Sequence, residues 1–252
     1  MRQLHPPGGP PDLAALYAYP AGLTRPWVRA NMIESADGAA EVDGLSGGLS
    51  GPADREVFGV LRALADVVLV GAGTARAEKY RPARVRPQWA GLRSGRPAVP
   101  PVAVLTGRLD LDLDSPLIAG AAADARTIVI TSGAAPADRR AAAQAVTDVI
   151  IAGGRRVDLA AALGELAGRG YRRILAEGGP HLLGQLAGAG LLDELCVTVS
   201  PALAGGQAGR ITQGSAAGGT GPARLDLAHV LLDGSYLFCR YLISPGTGSR
   251  PG

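Results

Sequence analysis

The chain is poor in the residues that build metal centres and disulfide frameworks. Its 252 residues include two cysteines and three histidines. Cys196 and Cys239 lie in separate apolar runs without a CxxC spacing, which favours buried, reduced thiols over a disulfide. His5, His181 and His229 are far apart and form no HxxxH or HxE pattern, so the sequence predicts no metal site.

Long apolar runs and a strong charge imbalance are also missing. No run approaches the roughly 18 residues of a membrane-spanning helix, and the first 13 residues lack the apolar core of a secretory signal. We therefore expect a cytoplasmic protein without a membrane partner. The net charge is +3 and scattered, which argues against a nucleic-acid partner. Lys79 is the only lysine, so the basic charge is nearly all arginine.

Short apolar runs and helical repeats alternate along most of the chain. Strands are predicted at 27–32, 66–70, 102–105, 127–131, 149–152, 173–176 and 195–199. Helices are predicted to begin at Pro52, Pro136, Asp158 and Pro180. Residues 225–232 and 236–243 predict a terminal antiparallel hairpin. Together these elements predict a three-layer α/β/α domain built on a mixed sheet.

Proline and glycine mark the regions outside this pattern. Residues 1–24 are predicted to be an N-terminal arm, residues 25–243 a single domain and residues 244–252 a flexible C-terminal tail. Residues 79–101 are interpreted as a surface loop and residues 204–224 as a long glycine-rich loop.

Three turns at strand ends carry the ligand-binding prediction. Gly71–Thr74 and Glu177–Pro180 each join a strand to a helix start, where free backbone N–H groups and the helix dipole can hold a phosphate. Together with the turn Thr106–Arg108, they suggest a dinucleotide with an extra phosphate, NADP rather than NAD. Neither glycine turn is GxGxxG, and a plain tight connection is the alternative. The Glu177 carboxylate would serve another ligand atom or a neighbouring turn.

The order of the motifs identifies a family resemblance. RPWV at 25–28, SADG at 35–38, LRA at 61–63, VGAGT at 70–74, EGGP at 177–180 and LDEL at 192–195 follow one another. In this order they resemble the reductase domain of bacterial riboflavin biosynthesis, which shares the dihydrofolate-reductase fold. A stand-alone actinobacterial branch is the most similar. The resemblance covers residues 25–243, which are therefore expected to form the reductase domain. The zinc deaminase half of the two-domain enzymes has no counterpart in this sequence.

The resemblance implies NADPH as cofactor and a homodimer as the assembly. The implied NADPH contacts are Gly71, Gly73, Thr74, Thr106, Arg108, Gly178, Gly179, Pro180, Leu182 and Leu183. Thr106 and Arg108 correspond to the loop near the adenosine 2′-phosphate. Thr74 has an alternative role as a helix N-cap.

The resemblance also implies a substrate site formed by Asn31, Ser46, Arg62, Glu78 and Glu177. Arg62 would face the ribose phosphate, or be a solvated charge on a helix face. Asn31 stands where the riboflavin enzymes usually carry lysine, and Glu78 where they usually carry aspartate. We expect Glu78 to deliver a proton or anchor the substrate ring, with a surface carboxylate as the alternative. Ser46 could be part of a plain loop.

The sequence thus predicts an NADPH-dependent reductase of a small molecule. Hydride would pass to ribose C1 of a ribosylaminopyrimidine phosphate, giving a ribitylamino product. Asn31 and Glu78 motivate a second hypothesis, reduction of dihydrofolate. A third hypothesis is a non-catalytic NADP-binding protein that has kept the fold.

Overall fold

The computed structural model describes residues 1–214 and 223–244. Within these residues the strands are β1 Arg2–His5, β2 Trp27–Ser35, β3 Val67–Gly71, β4 Val102–Leu105, β5 Ile128–Thr131, β6 Asp148–Ile151, β7 Arg173–Ala176, β8 Glu194–Ser200, β9 Leu225–Asp233 and β10 Tyr236–Ile243. The α-helices are α1 Leu13–Leu16, α2 Pro52–Leu64, α3 Ala72–Ala77, α4 Pro116–Ala119, α5 Ala137–Val146, α6 Leu159–Gly168 and α7 Pro180–Gly188. Short 3₁₀ turns lie at Ser46–Gly48, Pro87–Arg93 and Ala123–Ala125.

All ten strands form one mixed sheet in the order β1-β9-β10-β8-β2-β7-β3-β4-β5-β6. The strands from β8 to β6 in this order run parallel, while β10, β9 and β1 add antiparallel pairs at one side. One buried core lies between the sheet and helices α1 to α3, and a second lies beneath α6 and α7. The predicted α/β/α class with a mixed sheet and a terminal hairpin is confirmed.

The central strands follow directly from their composition. Residues Val67 to Val70 are all at most 1% exposed, because β3 is covered by apolar side chains on both faces. Helix α2 begins at Pro52 as predicted, since proline fits the first helical position, where no N–H partner is needed. Helix α6 is capped by the Asp158 carboxylate, which accepts from the N–H of Ala161.

The N-terminal residues differ from the expected arm. Strand β1 pairs antiparallel with β9, and Leu13 and Tyr17 are buried in the core. The Tyr17 ring meets His229 edge-on, with the ring centroids 4.8 Å apart. Composition alone could not reveal this, because the partner strand lies more than 200 residues away in the sequence.

Two other stretches refine the sequence interpretation. Residues 79–101 are not a plain surface loop, because Arg93 is buried there and its Nη1 donates to Ala63 O and Ala65 O near the end of α2. The predicted loop at 204–224 contains no helix or strand through residue 214, and its residues 215–222 lie outside the described part of the chain. The predicted tail also lies outside it from residue 245 onwards.

Across residues 1–214 and 223–244, no helix is both long and apolar enough to span a bilayer. The same residues contain no group of three or more His, Cys, Asp or Glu side chains placed to bind a metal ion.

Candidate active site

The sheet order brings the three predicted ligand turns together at the carboxyl ends of the central strands. Strands β7, β3 and β4 are neighbours and run parallel, so the turns that follow them leave the same side of the sheet. The N–H of Gly71 donates to Gly178 O at 3.0 Å. A Cβ added to Gly179 would overlap the Thr74 hydroxyl, so the Thr74 side chain lies directly against this glycine. In open α/β sheets this edge is where ligands bind.

The start of α7 offers backbone donors rather than side chains. Gly179 is the N-cap and Pro180 the first helical residue, so N–H groups in the first turn have no partner within the helix. The side chains of Leu182 and Leu183 are 3% and 2% exposed and belong to the core beneath α7. The N–H of Leu183 also donates to Gly179 O at 3.0 Å. The two leucines therefore shape the turn by packing, and Gly178 and Gly179 are buried as well.

The third turn has one buried and one exposed member. Thr106 is 5% exposed, and its N–H donates to Ile130 O at 2.9 Å. Arg108 is exposed at the end of β4 and leaves its guanidinium open to solvent. Thr74 is not the N-cap of α3; that position belongs to Gly71, which has no side chain to cap with.

A cavity of about 510 Å³ opens beside these turns. All five predicted substrate residues line it, although they come from β2, α2, the 46–48 turn, the end of α3 and the end of β7. Thr74 lines it as well, so this residue borders both the cavity and the glycine turn at Gly179. The polar lining residues include Asn31, Ser46, Arg62, Thr74, Glu78 and Glu177.

Glu177 is held by two partners at the cavity wall. Arg62 Nε and Nη2 donate to Glu177 Oε1 and Oε2, both at 2.6 Å, and the Tyr80 hydroxyl donates to Oε2 at 2.9 Å. The Glu177 side chain is 1% exposed and that of Arg62 16%. The Arg62 guanidinium also stacks on Phe58, 4.2 Å from the ring centroid. We call Glu177, Arg62 and Tyr80 the cavity triad.

Electrostatics keep Tyr80 and Arg62 in fixed protonation states. Burial raises the pKa of the Tyr80 hydroxyl well above its ordinary value, and the charge of Glu177 raises it further. Burial alone would lower the pKa of Arg62, but Glu177 outweighs it and raises the pKa. Tyr80 is thus a neutral donor and Arg62 a permanent cation near neutral pH.

Glu78 reaches the cavity from the end of α3. Its Oε1 accepts hydrogen bonds from both the N–H and the hydroxyl of Ser46, each at 2.8 Å. The two residues are 32 positions apart, and this contact fixes the 46–48 turn against α3. Glu78 and Ser46, two of the predicted substrate residues, are therefore direct partners of each other.

Several residues of the cavity escaped the sequence interpretation. Tyr80 binds Glu177 and Phe58 packs against Arg62, and the rim of the cavity carries the exposed cations Arg55, Lys79, Arg81 and Arg84. Most of them lie in or beside the stretch 79–101, which has no periodicity. Their closeness in sequence to Glu78 was the available signal.

A second network of buried charges lies away from the cavity, and we call Glu194, Arg29 and Tyr19 the core triad. Glu194 Oε1 accepts from Arg29 Nε at 2.6 Å and from Arg240 Nε at 2.7 Å. The side chains of Arg29 and Glu194 are 0% exposed, and Tyr19 lies over the Arg29 guanidinium at 4.0 Å. Burial alone would raise the pKa of Glu194, but the two arginines outweigh it and hold the pKa below its ordinary value.

The chain is similar in sequence to known reductases. Residues 26–237 match the family model described as the RibD C-terminal domain. A 2,5-diamino-6-ribosylamino-4(3H)-pyrimidinone 5′-phosphate reductase from Archaeoglobus fulgidus is 30% identical over 188 residues, which cover 73% of this chain and 84% of the relative. The protein of the same name from Methanothermobacter thermautotrophicus is 31% identical over 186 residues, covering 74% and 82%.

Solved structures give the same fold. A pyrimidine reductase-like protein from Corynebacterium diphtheriae superimposes with a TM-score of 0.77 and 26% identity, covering 87% of this chain and 92% of the other. The Saccharomyces cerevisiae riboflavin biosynthesis reductase Rib7 gives a TM-score of 0.64 at 16% identity, covering 90% and 93%, and supports the fold alone.

Proposed function

The chain belongs to the RibD C-terminal domain family, a reductase family of riboflavin biosynthesis, and we propose that it is an NADPH-dependent reductase of a ribosylaminopyrimidine 5′-phosphate. The observation that carries this proposal is the cavity of about 510 Å³, where residues from five separate segments meet beside the glycine turns. Glycine turns that served only as tight strand-to-helix connections would not require a cavity beside them.

The cofactor is proposed to lie along the edge formed by the turns after β3, β4 and β7. Gly73 is exposed and, beside Gly71, allows close approach of phosphate oxygens, while the buried Gly178 and Gly179 lead into the first turn of α7, which supplies N–H donors. When bound, the cofactor supplies a hydride to ribose C1, and the protein aligns the two reacting groups. Thr74 lies where the two sites meet, because it borders both the cavity and Gly179.

Preference for NADPH over NADH is assigned to Arg108. Its exposed guanidinium follows β4 and is free to pair with a 2′-phosphate, which NADH lacks. We expect Arg108→Ala to raise KM for NADPH about tenfold, the size of one charge-assisted contact, and to leave KM for NADH unchanged. Equal changes for both cofactors would contradict this role.

The substrate phosphate is proposed to meet the basic rim rather than Arg62 alone. Nε and Nη2 of Arg62 are already taken by Glu177, whereas Arg55, Lys79 and Arg84 are exposed around the cavity mouth. A doubly charged phosphate is attracted by such a cluster, and the sugar and pyrimidine would extend inward towards Glu78 and Asn31.

Glu78 is proposed to anchor the pyrimidine ring. Its Oε1 already accepts two hydrogen bonds from Ser46, which leaves Oε2 to accept from a ring N–H. Glu78→Gln would turn that second acceptor into a donor or leave it mismatched, and we expect kcat/KM to fall about tenfold or more. Unchanged turnover would remove Glu78 from the site, with Glu165→Gln on the exposed face of α6 as the control.

A homodimer is proposed through the sheet face formed by β8, β10 and β9. Leu225 and Leu227 are 40% and 41% exposed, and Leu237, Tyr241 and other apolar side chains of this face are partly exposed beside them. Contiguous apolar surface of this kind is typical of interfaces. Light scattering should give twice the 25.5 kDa chain mass, and Leu227→Glu should shift it towards the monomer. A wild-type monomer would contradict the proposal.

The deciding experiment follows NADPH oxidation at 340 nm with the ribosylaminopyrimidine phosphate and, separately, with dihydrofolate. We expect turnover with the pyrimidine. Turnover with dihydrofolate alone would show that Asn31 and Glu78 have redirected the cavity. NADPH binding without consumption of either substrate would favour a non-catalytic protein.

A further inference from the structure

A second cavity, of about 340 Å³, lies on the other side of the segment 79–81. Its floor is apolar and comes from Ala75 of α3, Val104 of β4 and Leu117 and Ile118 of α4, with Leu111 at the side. Its volume falls in the range of small-molecule sites. Lys79, Tyr80 and Arg81 line both cavities, but no residue proposed above to contact the cofactor or the pyrimidine ring lines this one.

Charge at the mouth of this cavity has one dominant sign. Arg76, Lys79 and Arg81 line it, against the single carboxylate of Asp112. Arg76 donates to Asp110 O at 2.6 Å, and its salt bridge to the exposed Asp110 carboxylate is long at 3.8 Å, so its charge is weakly compensated. An apolar floor beneath a cationic rim is complementary to a molecule with an apolar body and one anionic end.

We propose that this cavity is a second binding site, for a small amphipathic anion such as an aryl or alkyl carboxylate. The apolar body would lie on Val104, Leu117 and Ile118, where removal of apolar surface from water favours binding. The carboxylate would remain at the mouth beside Arg76 and Arg81, where it keeps part of its hydration and avoids the penalty of full burial.

Tyr80 connects this site to the substrate cavity. It lines both cavities, and its hydroxyl holds Glu177 at 2.9 Å. A ligand in the second cavity therefore rests against a member of the cavity triad without occupying the space of the substrate. We expect such a ligand to change kcat or KM for the pyrimidine without competing with it.

Calorimetric titration with 4-phenylbutyrate tests the site directly. We expect one binding site per chain, at least tenfold weaker binding of neutral 4-phenylbutyramide, and at least tenfold weaker binding of the anion to Ser115→Trp, whose indole fills the cavity from the side. Arg76→Gln should weaken binding of the anion threefold or more and leave binding of the neutral amide unchanged. Arg139→Gln, an exposed arginine of α5, is the matched control and should bind normally.

Binding that is absent at millimolar concentration, or unchanged in Ser115→Trp and in a second filling variant, Leu111→Trp, would overturn the proposal. Both variants must first show the wild-type melting temperature; if one unfolds, the other decides. Inhibition strictly competitive with the pyrimidine would place the probe in the substrate cavity and also overturn it. The calorimetric arm needs no turnover, so failure of the proposed reaction and failure of this site are distinguishable.

Discussion

The cavity triad and the core triad are built from the same parts and placed in opposite surroundings. Each has one glutamate, a guanidinium bound through two nitrogens and a nearby tyrosine. Glu177 ends a parallel strand and its arginine borders a cavity, whereas Glu194 begins a strand and both it and Arg29 are completely enclosed. The core triad also adds a second cation, Arg240.

Burial and bidentate pairing are common to both triads, so neither feature alone identifies a functional site. A buried pair stabilises a fold only when its geometry compensates for lost hydration, and an enclosed pair has no water to replace a missing partner. A pair at the carboxyl end of a strand can exchange partners with a ligand. Four substitutions separate the two roles.

The largest effect is expected for Glu194→Gln. The change leaves Arg29 and Arg240 buried without a counter-charge, which should lower the free energy of unfolding by about 3–5 kcal/mol. Urea denaturation measures it, and Glu165→Gln is the exposed control. Because the pKa of Glu194 is lowered in the fold, this stabilisation is present above the ordinary carboxyl pKa and is lost as the pH falls through the folded value. A loss below 1 kcal/mol would contradict an enclosed ion network.

Glu177→Gln should act on turnover more than on stability. Arg62 loses its bidentate partner and Tyr80 its acceptor, so kcat/KM for the pyrimidine should fall about 100-fold through misalignment. The free energy of unfolding should fall by only about 1–2 kcal/mol, because water in the cavity can solvate Arg62. If this variant instead unfolds as readily as Glu194→Gln while its folded fraction keeps full activity, the distinction between the triads fails.

His229, beside the core triad, gives a pH-dependent test. Its pKa is lowered to about 4, by burial first and then by the charges of Arg240 and Arg29, while Glu194 acts in the opposite direction. The Tyr17 ring packs against the imidazole. The unfolded state binds a proton near pH 6.5 and the folded state does not, so stability should fall as the pH drops from 6.5 to 4. In the His229→Gln variant, we expect the fall in the free energy of unfolding between pH 6.5 and 4 to be smaller by about 1–2 kcal/mol, a value that allows for solvent screening. Parallel melting-temperature profiles for both proteins would contradict it.

Tyr80→Phe is the smallest change and the most specific. It removes one neutral hydrogen bond to Glu177 and keeps the ring, so we expect KM for the pyrimidine to rise about fivefold, near 1 kcal/mol, with kcat nearly unchanged. Tyr19→Phe in the core triad is the matched control and should leave KM alone. A fall in kcat with constant KM would mean that Tyr80 acts on the reacting atoms.

Local patterns predicted the elements that depend on neighbouring residues. The run from Val67 to Val70 and the proline at the start of α7 are signals contained within a few positions, and the structure confirms both elements. The glycine turns could be assigned to one edge because parallel strands bring their carboxyl ends together.

The contacts between distant residues could not be predicted in the same way. Arg62 and Glu177 are 115 positions apart, and nothing in either local sequence indicates that they pair with each other. Both were predicted to face the substrate, and the structure shows that much of their hydrogen-bonding capacity is used internally. Strand β1 was missed for the same reason, since its partner is the ninth strand.

That pairing of β1 with β9 also has a consequence during synthesis of the chain. Arg2 lies opposite Leu232, so the first strand leaves the ribosome roughly 230 residues before its partner. At about 5–20 residues per second the wait is on the order of 10–50 s. Through this interval the nascent segment 1–24 has no sheet edge to join, and its tyrosines remain available to chaperones. This segment is made before the rest of the domain, and it is thus among the last parts to reach its final place.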